Sequence, residues 1–315
     1  MLRKINKVFK HHKLGRVDKA VKLKGGRVNP VYIVNSKYVI KFDALKRGFD
    51  KENYVLNRFK NMPLAKVMAY DASRKVVPEE YIVQTKLQGK NLSFIWPSLK
   101  ESEREKIFKN LIKILKKFHK KNYGFYGDFQ LKKKQQTKWS DFYARHFKKA
   151  IGLAQETKLI DKELFGLIKS FYNLNQKFLD QPKIKACFCH NDLHFANILV
   201  EKGKITGILD FDLSLAAPID FEFEILTCFL KQPDFFVADE LKKKYTKPLS
   251  SCYRWLRENY KELYEIPNIK ERMSLYSIAG DMEMLWLCDK FGYGQRVKNV
   301  ILTRLEETLQ GNYWL

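Results

Sequence analysis

Residues 190–212 read HNDLHFANILVEKGKITGILDFD, and the fold turns on this stretch. Two β-rich runs, Ile198-Leu199-Val200 and Ile205–Leu209, flank the turn Glu201-Lys202-Gly203-Lys204, the pattern of a hairpin. A hairpin returns the chain to its starting point. The polar string before it, His190 to Asn197, and the acidic string after it, Asp210-Phe211-Asp212, are therefore expected to meet at its open end. Asp192, Asn197 and Asp210 then converge. Three oxygen-bearing side chains around one spot suit a hard cation such as Mg²⁺, with nucleotide phosphates completing its shell.

Upstream, VYIVNSKYVIKFD holds two strands, Val31–Val34 and Tyr38–Phe42, across the turn-like Asn35-Ser36-Lys37. A Gly-Gly turn (LKGGRVNP) precedes them, and residues 48–62 have helical spacing. Tyr81-Ile82-Val83 adds a strand. Downstream the chain is mainly helical, with apolar periods over 99–121, 139–153, 162–179 and around 273–291. Leu2, Ile5, Val8 and Phe9 recur at helical spacing among basic residues, which fits a helix docked on its own domain or lying on a membrane surface. The fold class is α+β, with a small β-rich lobe at 1–87 and a larger helical lobe at 88–315.

The pattern H-x-D-x4-N followed by an apolar-D-F-D hairpin exit resembles the aminoglycoside phosphotransferase and choline kinase-like family, with its two-lobed protein-kinase-like fold. The resemblance spans roughly residues 20–225 and implies an enzyme moving the γ-phosphate of ATP or GTP to a hydroxyl group. It makes Asp192 the catalytic base, His190 the histidine that buttresses the loop, and Asn197 and Asp210 the Mg²⁺ ligands. It makes Asp220 the structural support of the catalytic loop. Gly25 and Gly26 match the phosphate-covering turn, Lys41 the strand lysine at the α/β-phosphates and Glu52 its helix partner. Gln84 to Leu87 match the hinge that binds the base. Asp281, Glu283 and Asp289 on one late helix are candidates to grip an amine-bearing acceptor, against a reading as a solvated face.

Composition bounds the alternatives. With 45% apolar residues, 23 Phe and 16 Tyr in 315 positions, the chain can bury a core. No apolar run reaches the roughly 18 residues that cross a bilayer, and the N-terminus lacks a secretory signal pattern. Five cysteines without a CxxC pair fit reduced thiols in a cytoplasm. Cys187, Cys189, His190 and His194 cluster, but C-x-C-H-x3-H matches no common zinc spacing.

The net charge of +25 is uneven: residues 1–150 carry +26 and residues 151–315 carry −1. A uniform binder of nucleic acid or anionic membrane is not expected to divide this way. The leading expectation is a small-molecule kinase. A kinase of a lipid headgroup or macromolecule recruited by the basic half is the alternative, as is a non-catalytic binding protein of the same fold.

Overall fold

The computed structural model describes residues 1–23, 29–44, 46–130, 135–180 and 184–312. They form two compact units: Met1–Asn110 with Phe195–Leu213, and Leu111–His194 with Ser214–Leu315.

The first unit is built on an antiparallel sheet of five strands: β1 (Ala20–Lys22), β2 (Val31–Val34), β3 (Tyr38–Phe42), β4 (Val67–Asp71) and β5 (Tyr81–Thr85). Their spatial order is β1-β2-β3-β5-β4. Asn35 and Ser36, central in the β2–β3 turn, both have positive φ (51° and 54°), the geometry that matches strand twist. Alternation along β3 then sorts its side chains. Tyr38, Ile40 and Phe42 are buried with Ile5, Val8 and Phe9 of helix α1 (Leu2–His11) in one core. Ile5, Val8 and Phe9 of the apolar face of α1 are thereby spent on its own unit, while Leu2 is exposed. Lys41, on the opposite face of β3, meets helix α2 (Asp50–Arg58).

A second sheet of this unit is centred on the hairpin strand Ile198–Glu201, flanked by Lys204–Ile208 and the short Lys90–Asn91. The two-residue loop Lys202-Gly203 has positive φ at both positions, 49° and 71°, as a tight hairpin requires. Gly89, at φ +113°, lets the chain approach. A Cβ there would sit 2.6 Å from Thr206 Oγ1 and 2.9 Å from the Val200 carbonyl oxygen.

The second unit is helical apart from a small sheet of Asn122–Tyr123, Ala186–Cys189 and Leu215–Ala217. Its central element, Ile269–Lys290, is buried along most of its length, from Arg272 to Cys288. Trp139 Nε1 donates to the Tyr276 hydroxyl at 2.9 Å, and the Tyr143 hydroxyl donates to the Leu275 carbonyl at 2.6 Å, fixing helix Trp139–Thr157 against it. Among the described residues, no helix is long and apolar enough to cross a membrane.

Two buried polar groups of this unit bear on its stability. Arg272 is fully enclosed and forks onto Asp220 at 2.6 and 3.0 Å, while its Nη1 donates to the Phe178 and Leu179 carbonyls. Such a pair contributes little net stability when intact, but losing one member strands the other charge without water. Arg272→Met is expected to lower unfolding free energy by about 3–5 kcal/mol in urea titrations. A loss within experimental error would remove the pair from its structural role.

Glu224, on helix Ile219–Lys231, fits beside Gly280, where a Cβ would come within 2.9 Å of its Oε1. Burial pushes its carboxyl up to about 7; Glu283 adds to the rise and Arg304 opposes it. The folded state thus holds a proton that the unfolded chain, near 4.5, releases. The associated stability is full below pH 4.5 and is lost as pH rises through 7, about 3 kcal/mol in all. Glu224→Gln should flatten the fall in urea midpoint between pH 5 and 8. An unchanged slope would assign the pH dependence elsewhere.

Candidate active site

In the β-rich unit, the site grows from two local devices. The first is β3 facing α2: Lys41 Nζ donates to Glu52 Oε1 at 2.7 Å, and Glu52 is almost wholly enclosed. The second is the hairpin mouth. The Leu209 N–H donates to the Asn197 carbonyl at 2.9 Å, closing the hairpin just before Asp210. Asp210 sits in the left-handed region at φ +64°, a conformation that Asp tolerates better than most residues. Asn91 fastens the preceding segment: its side-chain amide donates to the Ala196 carbonyl, and its Oδ1 accepts from the Ser93 N–H at 3.0 Å. The Trp96 and Phe195 rings pack at 4.3 Å.

Electrostatics join these devices. Burial opposes the Lys41 charge, but the Glu52 carboxylate and then Asp210 and Asp212 outweigh it, so the ammonium is held more tightly than usual. The Asp212 carboxyl is pushed up to about 6, by burial first and then by the Asp210 and Glu52 charges. Glu52 Oε2 is buried without a hydrogen-bond partner. A carboxylate cluster with too little positive charge and an orphaned oxygen is a setting that a hard divalent cation would suit, and Asn197 and Asp210 are the residues that would offer it oxygen donors.

In the helical unit, strand Ala186–Cys189 delivers His190 into the interior, 1% exposed. Asn191 takes a positive φ of 58°, turning the chain so that the Asp192 N–H reaches His190 Nδ1 at 3.3 Å. That nitrogen therefore acts as an acceptor, leaving the ring proton on Nε2. The Asp192 carboxylate lies 3.6 Å from His194 Nε2, and the His194 ring packs near Phe229 and Phe236.

Two acidic residues of helix Ile219–Lys231, Asp220 and Glu222, stand near the loop. Asp220, the support that the family pattern implies, has its carboxylate on Arg272. The side chain that accepts from the His190 and Asn191 N–H groups is Glu222. Glu222 carried no sequence signal beyond an acidic residue in a first helical turn.

The remaining candidates fall as follows. Gln84 is buried in β5, with its Nε2 unpaired, and Leu87 packs where a Cβ on Gly207 would come within 2.7 Å of it. Gly25 and Gly26 lie outside the described residues. Asp281 is fully buried and paired with Arg304; Glu283 is bound by Lys149 at 3.1 Å and Asp289 by Lys298 at 2.7 Å.

The sequence profile described as the phosphotransferase enzyme family matches residues 19–257. The chain belongs to this family. It is a phosphotransferase of the kinase type, of the α+β class expected from its sequence. No curated protein matches it. Among solved structures, aminoglycoside phosphotransferase APH(4)-Ia aligns with a TM-score of 0.70 at 15% identity, covering 99% of both chains. The streptomycin–ATP–APH(2")-IIa ternary complex aligns at 0.66 and 16%, covering 96% of this chain and 97% of that one. ADP-bound APH(2'')-Ib aligns at 0.64 and 17%, covering 97% and 96% respectively. At such identities the likeness is one of fold.

If Glu222 fixes the loop, Glu222→Ala leaves two backbone donors without their acceptor, at about 1–3 kcal/mol each if no water enters. Amide exchange at His190 and Asn191 should then accelerate at least tenfold. Unchanged protection there would assign the loop's support to other contacts.

Proposed function

We propose that this phosphotransferase moves the γ-phosphate of ATP to a hydroxyl of a small molecule and needs Mg²⁺ to do so. The observation that carries the reading is the Lys41–Glu52 pair set in the field of Asp210 and Asp212, a cation and carboxylate arrangement suited to nucleotide phosphates and an ion. Relatives of the same fold support the donor and the acceptor class: APH(4)-Ia has been solved with AMP-PNP and hygromycin B, and APH(2")-IIa with ATP and streptomycin.

In this reading Asp192 accepts the proton of the acceptor hydroxyl as its oxygen attacks the γ-phosphorus. The bond from that phosphorus to the bridging oxygen breaks, and the nucleoside diphosphate leaves. Lys41 offsets charge on the α/β-phosphates and Glu52 keeps its ammonium in place. His190 orders the loop that carries Asp192. Gln84 to Leu87 contact the base, and Gly25 and Gly26 cover the phosphates. Asn197 and Asp210 would hold Mg²⁺, which when bound neutralises the phosphate oxygens.

Asp281, Glu283 and Asp289 already have cationic partners within the protein, which argues against them as the grip for a polyamine. Acceptors without amines belong in the same test. The five buried cysteines, each a thiol rather than a disulfide, suit the reducing cytoplasm.

The test is ADP release from ATP and Mg²⁺ over a panel of aminoglycosides, sugars and amino alcohols. Asp192→Asn should cut turnover roughly 10²–10⁴-fold with nucleotide affinity unchanged, whereas Asp210→Ala should abolish Mg²⁺-dependent nucleotide binding. Full turnover by the Asp192 variant, or wild-type protein that binds no nucleotide, would overturn the reading.

A further inference from the structure

A second cluster of ligating side chains lies inside the helical unit. Cys187 and Cys189 stand two apart on strand Ala186–Cys189, so alternation puts both thiols on one face, with the sulfurs 3.9 Å apart. That separation is close to the ~3.8 Å edge of a tetrahedron whose metal–sulfur bonds are about 2.3 Å. His119, at the C-terminal end of helix Glu101–His119, brings a ring nitrogen to the same place. The three ligand atoms all lie within 4.8 Å of one another, and all three residues are buried.

The ring is already oriented for the task. Its Nδ1 is 2.5 Å from the Tyr260 hydroxyl, and the ring stacks on Tyr260 at 5.8 Å. An outer partner of this sort commonly fixes a ligating imidazole. Nε2 is left buried, without a hydrogen-bond partner, 3.8 Å from Glu222 Oε2. A buried imidazole nitrogen without a partner costs free energy unless something else occupies its lone pair or takes its proton.

We propose that His119, Cys187 and Cys189, with Glu222 as fourth ligand, bind one thiophilic divalent cation of the Zn²⁺ type. Two thiolates, an imidazole and a carboxylate form a donor set for tetrahedral zinc and a poor one for Mg²⁺, so this site and the catalytic cation do not compete. Binding exchanges two S–H bonds for two metal–sulfur bonds and releases two protons to solvent, with no redox change. A cavity of about 440 Å³, lined also by Lys185, Glu262 and Glu265, reaches His119 and Cys187 and offers a way in for an ion. Because Glu222 also accepts from the His190 N–H, the ion would be joined through one carboxylate to the loop carrying Asp192.

The test uses Co²⁺ added to the full-length, reduced, metal-free protein. Expected are one equivalent bound, a near-ultraviolet sulfur-to-cobalt band and the visible bands of a tetrahedral site, displaced by Zn²⁺ and indifferent to excess Mg²⁺. Cys187→Ser/Cys189→Ser should lose the sulfur band, His119→Gln should weaken binding at least tenfold, and Cys252→Ser/Cys288→Ser should retain both. X-ray absorption of the zinc-loaded wild type should show two sulfur neighbours, a readout that stands even if a variant fails to fold. Absence of the sulfur band in wild type, its survival in the 187/189 variant, a zinc shell without sulfur, or suppression by Mg²⁺ would each overturn the proposal.

Discussion

One backbone hydrogen bond, from the Leu209 N–H to the Asn197 carbonyl, sets the geometry on which the β-rich half of the site depends. It closes a hairpin whose two-residue loop is already committed by Lys202 and Gly203. With the loop fixed, register leaves no choice about which residues stand at the mouth: Asn197 ends one arm and Asp210 begins the exit from the other. The surrounding chain is shaped to allow this closeness. Gly89 and Gly207 sit where any side chain would strike Thr206, the Val200 backbone or Leu87. A larger residue at Gly89, where the Val200 backbone cannot yield, would push the hairpin from its neighbour.

Strand alternation does the equivalent work for Lys41. Period two in β3 sends Ile40 and Phe42 to the core shared with α1, and this obliges the residue between them to face the other way. The apolar packing of α1 is therefore part of what aims the lysine, although no atom of α1 belongs to the site. Once aimed, Lys41 is held by Glu52, and the carboxylates beyond it raise its hold on the proton. Asp212 shows the reverse side of the same field. Its carboxyl is pushed up to about 6 because burial, and then the Asp210 and Glu52 charges, outweigh Lys41 and Lys51.

What could be read in the sequence was what short-range contacts determine. The hairpin, the order of the β2, β3 and β5 strands along the chain, and the family pattern from His190 to Asp210 all arise within windows of a few to twenty residues. The strands Lys90–Asn91, Asn122–Tyr123 and Leu215–Ala217 were not legible, since two or three residues become a strand only through the partner they meet. Glu222, His119 and Arg272 escaped for the same reason. Each acts on residues more than 30 positions away, and nothing in its own neighbourhood announces the partner. The histidine beside Cys187 and Cys189 lies 68 residues earlier on a helix, so the C-x-C-H-x3-H spacing does not announce it.

The late helix Ile269–Lys290 shows why polar residues alone mislead about substrate. Its acidic side chains look like an offering to a cationic ligand when listed in order. Folded, the helix is surrounded, and Arg272 and Asp281 are spent on the interior through Asp220 and Arg304. A charge inside a protein must find its opposite there, because no water will serve. Distinguishing a charge that binds substrate from one that binds its own fold thus requires knowing what stands opposite it. For Asp281, Glu283 and Asp289 that partner is in each case a cation of the same chain.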